Sequence, residues 1–158
     1  AYWKGYREYQ EAGQSDTLPR MMGFQAAGAA PIVDNAPVAE PETVASAIRI
    51  GNPASWQPAK AALEFSGGKI DKVTDEEILT SYQMITAQEG IFVEPASAAA
   101  LAGIIKLQNA GGIDEGSIVV ATMTGHGLKD PDNAVEHANA EATTVEPNLD
   151  AVRAAIGL

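Results

Sequence analysis

Cysteine is absent from all 158 residues, which excludes disulfide frameworks, thiolate nucleophiles and zinc held by thiolates. Histidine occurs only at His126 and His137, so few side chains titrate near neutral pH. Without a His-x-x-x-His pair no metal site is expected. Basic charge is scarce: 10 Lys and Arg stand against 21 Asp and Glu, a formal charge of -11. Such a surface has nothing with which to displace counterions from phosphates, so nucleic acid is excluded as a partner. Long apolar runs are also missing. None approaches the ~20 residues of a membrane span, so no membrane association is expected, and the cytoplasm is the expected location. There is neither a signal peptide nor an initiator methionine, and the chain opens inside Ala1-Tyr2-Trp3-Lys4, as the interior of a longer chain would.

What is present suits a globular protein: 46% of residues are hydrophobic and 20% charged. The length allows one domain of ordinary size. Tyr2, Trp3, Tyr6 and Tyr9 have the three-and-four spacing of one helical face. They predict a helix over 1–12 that packs its aromatic side on a core and ends at Gly13. Met21 to Gln25 reads as a strand, followed by the small residues Ala26-Ala27-Gly28-Ala29-Ala30. A surface loop over 32–41 leads to a short helix from Pro41 to Ile48. Gln57 to Phe65 is a further helix, stopped by Gly67-Gly68. Thr74-Asp75-Glu76-Glu77 is a capping box; it starts a helix that puts Ile78, Tyr82 and Ile85 on one face and runs to Gly90. Ile91-Phe92-Val93 reads as a brief buried strand, and Glu94-Pro95 opens an alanine-rich helix to about Asn109.

The stretch Ser117–Pro131 organises the rest. Ser117 to Thr122 is a β-branched run with the pattern of a buried parallel strand. It enters Thr124-Gly125-His126-Gly127, where two glycines admit conformations or close approaches that a Cβ would forbid. Asp130 is placed to cap a helix beginning at Pro131. Ligands of open α/β sheets gather at strand ends of this kind. Residues 133–158 form an acidic tail with a short terminal helix, capped by Asn148 or Asp150. The expected fold class is α/β, a three-layer partial parallel sheet with helices on both faces. Three short strands make a thin sheet, so the chain is expected to be a fragment lacking an amino-terminal part.

A self-sufficient catalytic set is hard to assemble. Glu94 ends one strand and starts a helix, where it serves as the cap or faces a ligand. His126 reads as a loop ligand or a solvated histidine, and His137, four residues before Glu141, as a surface residue. Arg49 reads as a surface ion pair or an anion ligand. Ser97, in the first turn of its helix, is able to satisfy backbone groups, and no serine stands in a nucleophile elbow.

Four segments carry a resemblance: Phe24-Gln25-Ala26-Ala27-Gly28-Ala29-Ala30-Pro31; Ala47-Ile48-Arg49-Ile50-Gly51-Asn52-Pro53-Ala54-Ser55-Trp56; Gly90-Ile91-Phe92-Val93-Glu94-Pro95-Ala96-Ser97-Ala98-Ala99; and Thr124-Gly125-His126-Gly127-Leu128-Lys129-Asp130-Pro131. Over about Ala1 to Asp132 the chain resembles the carboxyl-terminal part of the threonine synthase family. Its members are tryptophan-synthase-β-like enzymes of fold type II that depend on pyridoxal phosphate (PLP). The resemblance implies a lyase of amino-acid biosynthesis that converts O-phosphohomoserine and water to threonine and phosphate. It implies that 1–158 is the carboxyl-terminal part of the large PLP-binding domain, and that the protein forms a homodimer. The family's Schiff-base lysine stands in a Ser-x-Lys-Asp context, and its phosphate loop is of Gly-Asn-Ala-Gly-Asn type. Neither is found here, so no catalytic residue is assigned, and both are expected in the missing amino-terminal portion; this chain alone is expected to be inactive.

The resemblance carries over residue by residue to four cofactor-binding positions. Thr124 matches the residue whose hydroxyl faces the ring nitrogen of PLP, Glu94 the acid near the ring, and Ala26 and Ala27 the small-residue loop beside it. Lys129, Arg49 and His126 receive no role. Two other readings are a threonine/serine dehydratase of the same fold, favoured by Glu94-Pro95, and a non-catalytic α/β binding or interaction domain.

Overall fold

A computed structural model describes residues 1–137 and 143–158. The elements follow in the order α1 (Tyr2–Glu11), β1 (Met22–Ala26), α2 (Pro31–Asp34), α3 (Trp56–Ser66), β2 (Lys69–Val73), α4 (Asp75–Met84), α5 (Pro95–Asn109), α6 (Pro131–Glu136) and α7 (Leu149–Ala155), with short 3-10 turns between. β1 and β2 pair in parallel, with Met22 opposite Lys69 and Ala26 opposite Val73. The connection between them carries helices α2 and α3, as a parallel crossover demands. Helix α5 packs on both strands, and α4 packs on α5. The molecule is α/β with a small parallel sheet, as expected. No helix among the described residues is long and apolar enough to cross a membrane.

Local chemistry explains where the helices start and stop. The Thr74 hydroxyl accepts from the Glu77 amide and the Glu77 carboxylate from the Thr74 amide, the reciprocal capping box. Pro95 opens α5 at a position where its missing N–H costs nothing. Gly67 ends α3 in the left-handed conformation that glycine takes without a Cβ penalty. Asn148 caps α7 through its side chain.

One core joins sheet and helices. Ala26, Val73, Ile78, Tyr82, Ile85, Val93, Ala98, Ala99 and Ala102 are buried together, with Phe24, Phe92 and Met123 packed against them. The small residues of α5 allow this closeness. A Cβ on Gly103 would lie 2.1 Å from the Phe24 ring, so only glycine lets β1 approach α5 as it does.

Several local expectations are corrected. The run Ser117–Thr122 forms no strand among the described residues, and Ile118 and Val120 are 93% and 75% exposed. A β-branched run has only a propensity; a strand exists when a neighbour pairs with it, and none does here. Ile91–Val93 likewise contributes one antiparallel bridge, Val93 to His126, rather than a strand. The second strand is instead Lys69–Val73, which follows Gly67-Gly68 directly. The helix expected over Pro41–Ile48 shrinks to a 3-10 turn at Ser46–Ile48. Its cause lies on α4: the Asp75 carboxylate accepts from the Thr43 hydroxyl and the Val44 amide, which holds those residues out of a helical turn. The aromatic face of α1 is not packed on the core, since Tyr2, Tyr6 and Tyr9 are exposed. Beyond Met84 the α4 helix continues to Glu89 as a π-helical turn before Gly90 stops it. Glu141, and with it a part of the acidic tail, lies outside the described residues.

Candidate functional site

The site is built where the start of α5 meets the loop from Met123 to Lys129. Backbone bonds clasp the two segments: the Glu94 amide donates to the Gly125 carbonyl at 3.0 Å, and the Gly127 amide to the Phe92 carbonyl at 3.1 Å. The two loop glycines are required for this contact. A Cβ on Gly125 would lie 1.8 Å from Glu94 Oε1, and one on Gly127 would lie 2.3 Å from the Phe92 ring. Neither has a positive φ, so they serve close approach rather than an unusual backbone conformation. What approaches them is protein: a carboxylate and an aromatic ring. The His126 ring meets the edge of Phe92 with centroids 5.5 Å apart, while its Nδ1 accepts from the Leu128 amide. His126 is thereby a loop-shaping residue.

Glu94 and Ser97, one turn apart on the same helix start, are both buried, 4% and 1% exposed. The Glu94 side chain does not cap α5. Its Oε1 accepts from the Lys129 ammonium at 3.1 Å, which compensates the cost of burying a carboxylate. Ser97 Oγ accepts from the Gly125 amide at 2.7 Å and lies 3.2 Å from both the Gly125 carbonyl and Thr124 Oγ1. Thr124 itself is exposed, so its hydroxyl is tethered on the protein side and open on the other.

A second shelf joins this loop to the rest of the molecule. The Asp130 carboxylate does not cap α6. It accepts from Ser46 Oγ at 2.8 Å and Asn133 Nδ2 at 2.9 Å, and Asn133 also reaches the Val44 carbonyl. Tyr82 on α4 has its phenol pKa raised, first by burial and then by the charge of Asp130. The loop's end is thus held by α6 and the 43–46 segment.

Of the residues singled out from sequence, the structure brings Glu94 and Thr124 to one place. Ala26 is fully buried in the core, opposite Val73 in the sheet, and Ala27 after it is exposed in the 3-10 turn Ala27–Ala29. No hydrogen bond among the described residues joins Ala27 to the loop. Arg49 is exposed and away from this cluster's hydrogen bonds. Sequence reasoning left Lys129 without a role and weighed Ser97 only as a helix-start residue. Lys129 has no local signal, because its partner is 35 residues away. The signal for Ser97 was its spacing of three from Glu94, which puts both on one helical face.

The groups gathered here are the hydroxyls of Thr124 and Ser97, with the one nearby carboxylate already paired to Lys129. Among the described residues no group of His, Cys, Asp and Glu is arranged to hold a metal ion. A hydroxyl both donates and accepts, which fits the ring nitrogen of PLP.

Comparison with known proteins bears on the same region. The sequence profile described as pyridoxal-phosphate dependent enzyme matches residues 1–125. A threonine synthase of Synechocystis sp. is 50% identical over 158 residues, 99% of this chain and 41% of that protein. One of Mycobacterium leprae is 57% identical over 136 residues, 86% of this chain and 38% of that protein. The chain therefore spans about 40% of the length of these curated relatives. Among solved structures, O-ureido-L-serine synthase with O-ureido-L-serine bound matches with a TM-score of 0.61 at 14% identity, over 95% of this chain and 41% of that one. A T.th. threonine deaminase matches with a TM-score of 0.50 at 17% identity, over 84% and 44%. At these identities the structures are similar in fold alone.

Proposed function

We propose, since this chain belongs to the family of pyridoxal-phosphate dependent enzymes, that it forms one wall of the active site of a threonine synthase, acting on O-phosphohomoserine. The observation that carries the reading is the 50% identity to a threonine synthase along nearly the whole chain, through both halves of the clasped site. When bound, PLP supplies an electron sink for the carbon from which the substrate loses its proton. The residues here orient and tune that group. Thr124 would hold the ring nitrogen through its hydroxyl, a neutral group that would leave that nitrogen unprotonated where a carboxylate would hold it protonated. Glu94, paired with Lys129, would border the ring, and Ala27, next in sequence to the buried Ala26, would line its edge. The lysine that anchors the cofactor and the loop that holds its phosphate come, in this reading, from chain outside these residues. None of the six lysines, 4, 60, 69, 72, 106 and 129, stands in the Ser-x-Lys-Asp setting.

The full-length protein is expected to show PLP absorbance, and to release phosphate and form threonine in equal amounts from O-phosphohomoserine. Phosphate release with no threonine refutes the assignment. The threonine deaminase likeness, being one of fold, gives a dehydratase reading no independent support, and turnover of free threonine is not expected. A second copy as partner and the cytoplasm as location complete the proposal; sedimentation of the full-length protein at twice its chain mass checks the first.

A further inference from the structure

Ser97 Oγ has three polar neighbours and one proton. It accepts from the Gly125 amide at 2.7 Å, the shortest contact of the cluster. Its own proton has two acceptors at 3.2 Å, the Gly125 carbonyl and Thr124 Oγ1. The two are not equivalent. The Gly125 carbonyl already accepts from the Glu94 amide at 3.0 Å, whereas Thr124 Oγ1 has no other hydrogen-bond partner among the described residues. With one lone pair already engaged, the carbonyl gains less from the Ser97 proton than Thr124 Oγ1 does, which has no other donor on its protein side among the described residues. Ser97 is also held in place, being 1% exposed on the first turn of α5, and has little freedom to turn elsewhere.

From this geometry we infer that Ser97 is a positioning residue for Thr124: it donates to Thr124 Oγ1, and so directs the Thr124 proton outward, toward the ring nitrogen. The inference rests on the proposed PLP site and deepens it. A lone threonine hydroxyl at an exposed position rotates, and presents a proton or a lone pair to the ring at random. With Ser97 as donor behind it, Thr124 has one lone pair engaged and its proton committed to the open side. The Gly125 amide completes the chain, because a hydroxyl that accepts a hydrogen bond is polarised into a better donor. Ser97 touches neither ring nor substrate. Its effect passes through Thr124.

The test is a cycle of PLP titrations on the full-length protein, followed by absorbance, using Ser97→Ala, Thr124→Val and the double variant. Ser97→Ala is expected to weaken PLP binding about fivefold, the scale of one hydrogen bond, and to weaken it less than twofold when Thr124 is already valine. In the Thr124→Ser background, which keeps the hydroxyl, the fivefold loss is expected to return. A role confined to holding the Gly125 amide would cost the same in every background, and that result, or no loss from Ser97→Ala at all, overturns the inference. If Ser97→Ala does not fold, Ser97→Cys fills similar space with a weak donor, and the same comparison applies. Failure of the wild-type protein to bind PLP sinks the functional reading itself, which separates the two.

Discussion

At Gly125 the absence of one methyl group decides the site's geometry. The Cβ of an alanine would fall on the Glu94 carboxylate, 1.8 Å from Oε1 and 2.2 Å from its carbon. Glu94 cannot yield without leaving Lys129, and it is 4% exposed. Gly125→Ala is therefore expected to destabilise by about 1–3 kcal/mol, read as a lowered melting temperature. Lys129→Met tests the other side of the pair. It leaves a buried carboxylate uncompensated, but the lysine side chain is 60% exposed. The expected loss lies between the ~1 kcal/mol of an exposed pair and the ~3 kcal/mol at which buried pairs begin. Restoring the melting temperature by adding Glu94→Gln, as a double-mutant cycle, would confirm that the stranded charge was the cause.

At the scale of elements, what matters is how each helix or strand meets its neighbour. Gly103 lets the Phe24 ring lie against α5, and Gly103→Ala is expected to cost about 1–3 kcal/mol by overpacking. Ile78, on the buried face of α4, is fully inaccessible, so Ile78→Ala is expected to cost about 2–5 kcal/mol in denaturant unfolding. Strand β2 adds a pH dependence. The Asp71 pKa is lowered from its ordinary value, first by the hydrogen bond from Lys69 and next by the Lys72 amide. A lowered folded pKa means that the pair's stabilisation is complete above the unfolded carboxylate pKa and fades as the pH falls through the folded value. Asp71→Asn is thus expected to lose at most about 1 kcal/mol at neutral pH, and the gap from wild type should close in melts taken well below pH 4.

For the whole molecule the telling feature is an apolar run left in the open. Ile118, Val119 and Val120 are exposed, and no backbone hydrogen bond of the described residues involves the amides from Ile118 to Met123. In this chain those amides are expected to exchange with solvent at nearly unprotected rates, whereas amides of α5 should be slow. If the proposed function holds, the same amides become protected in the full-length protein. That contrast also marks the boundary of what could be read from residues alone. The helix over Tyr2–Glu11, the capping box at Thr74, the start of α5 at Glu94-Pro95 and the cap at Asn148 were legible in sequence, because each depends on neighbours within four residues. The family likeness was legible in Glu94 and Thr124, whose surroundings stand in short contiguous motifs. The pairing of Lys129 with Glu94, the tether from Ser97 to Thr124, the grip of Asp75 on Thr43 and Val44, and the choice of Lys69–Val73 over Ser117–Thr122 as the second strand were not. Each joins residues distant in sequence, and a strand or a buried ion pair has no energy of its own until its partner is beside it. Sequence by itself determined the helix starts that depend on local neighbours, at Thr74, Pro95 and Asn148, and which family the chain resembles. Only the tertiary structure decided which strand found a neighbour, and which buried group the glycine loop was left bare to receive.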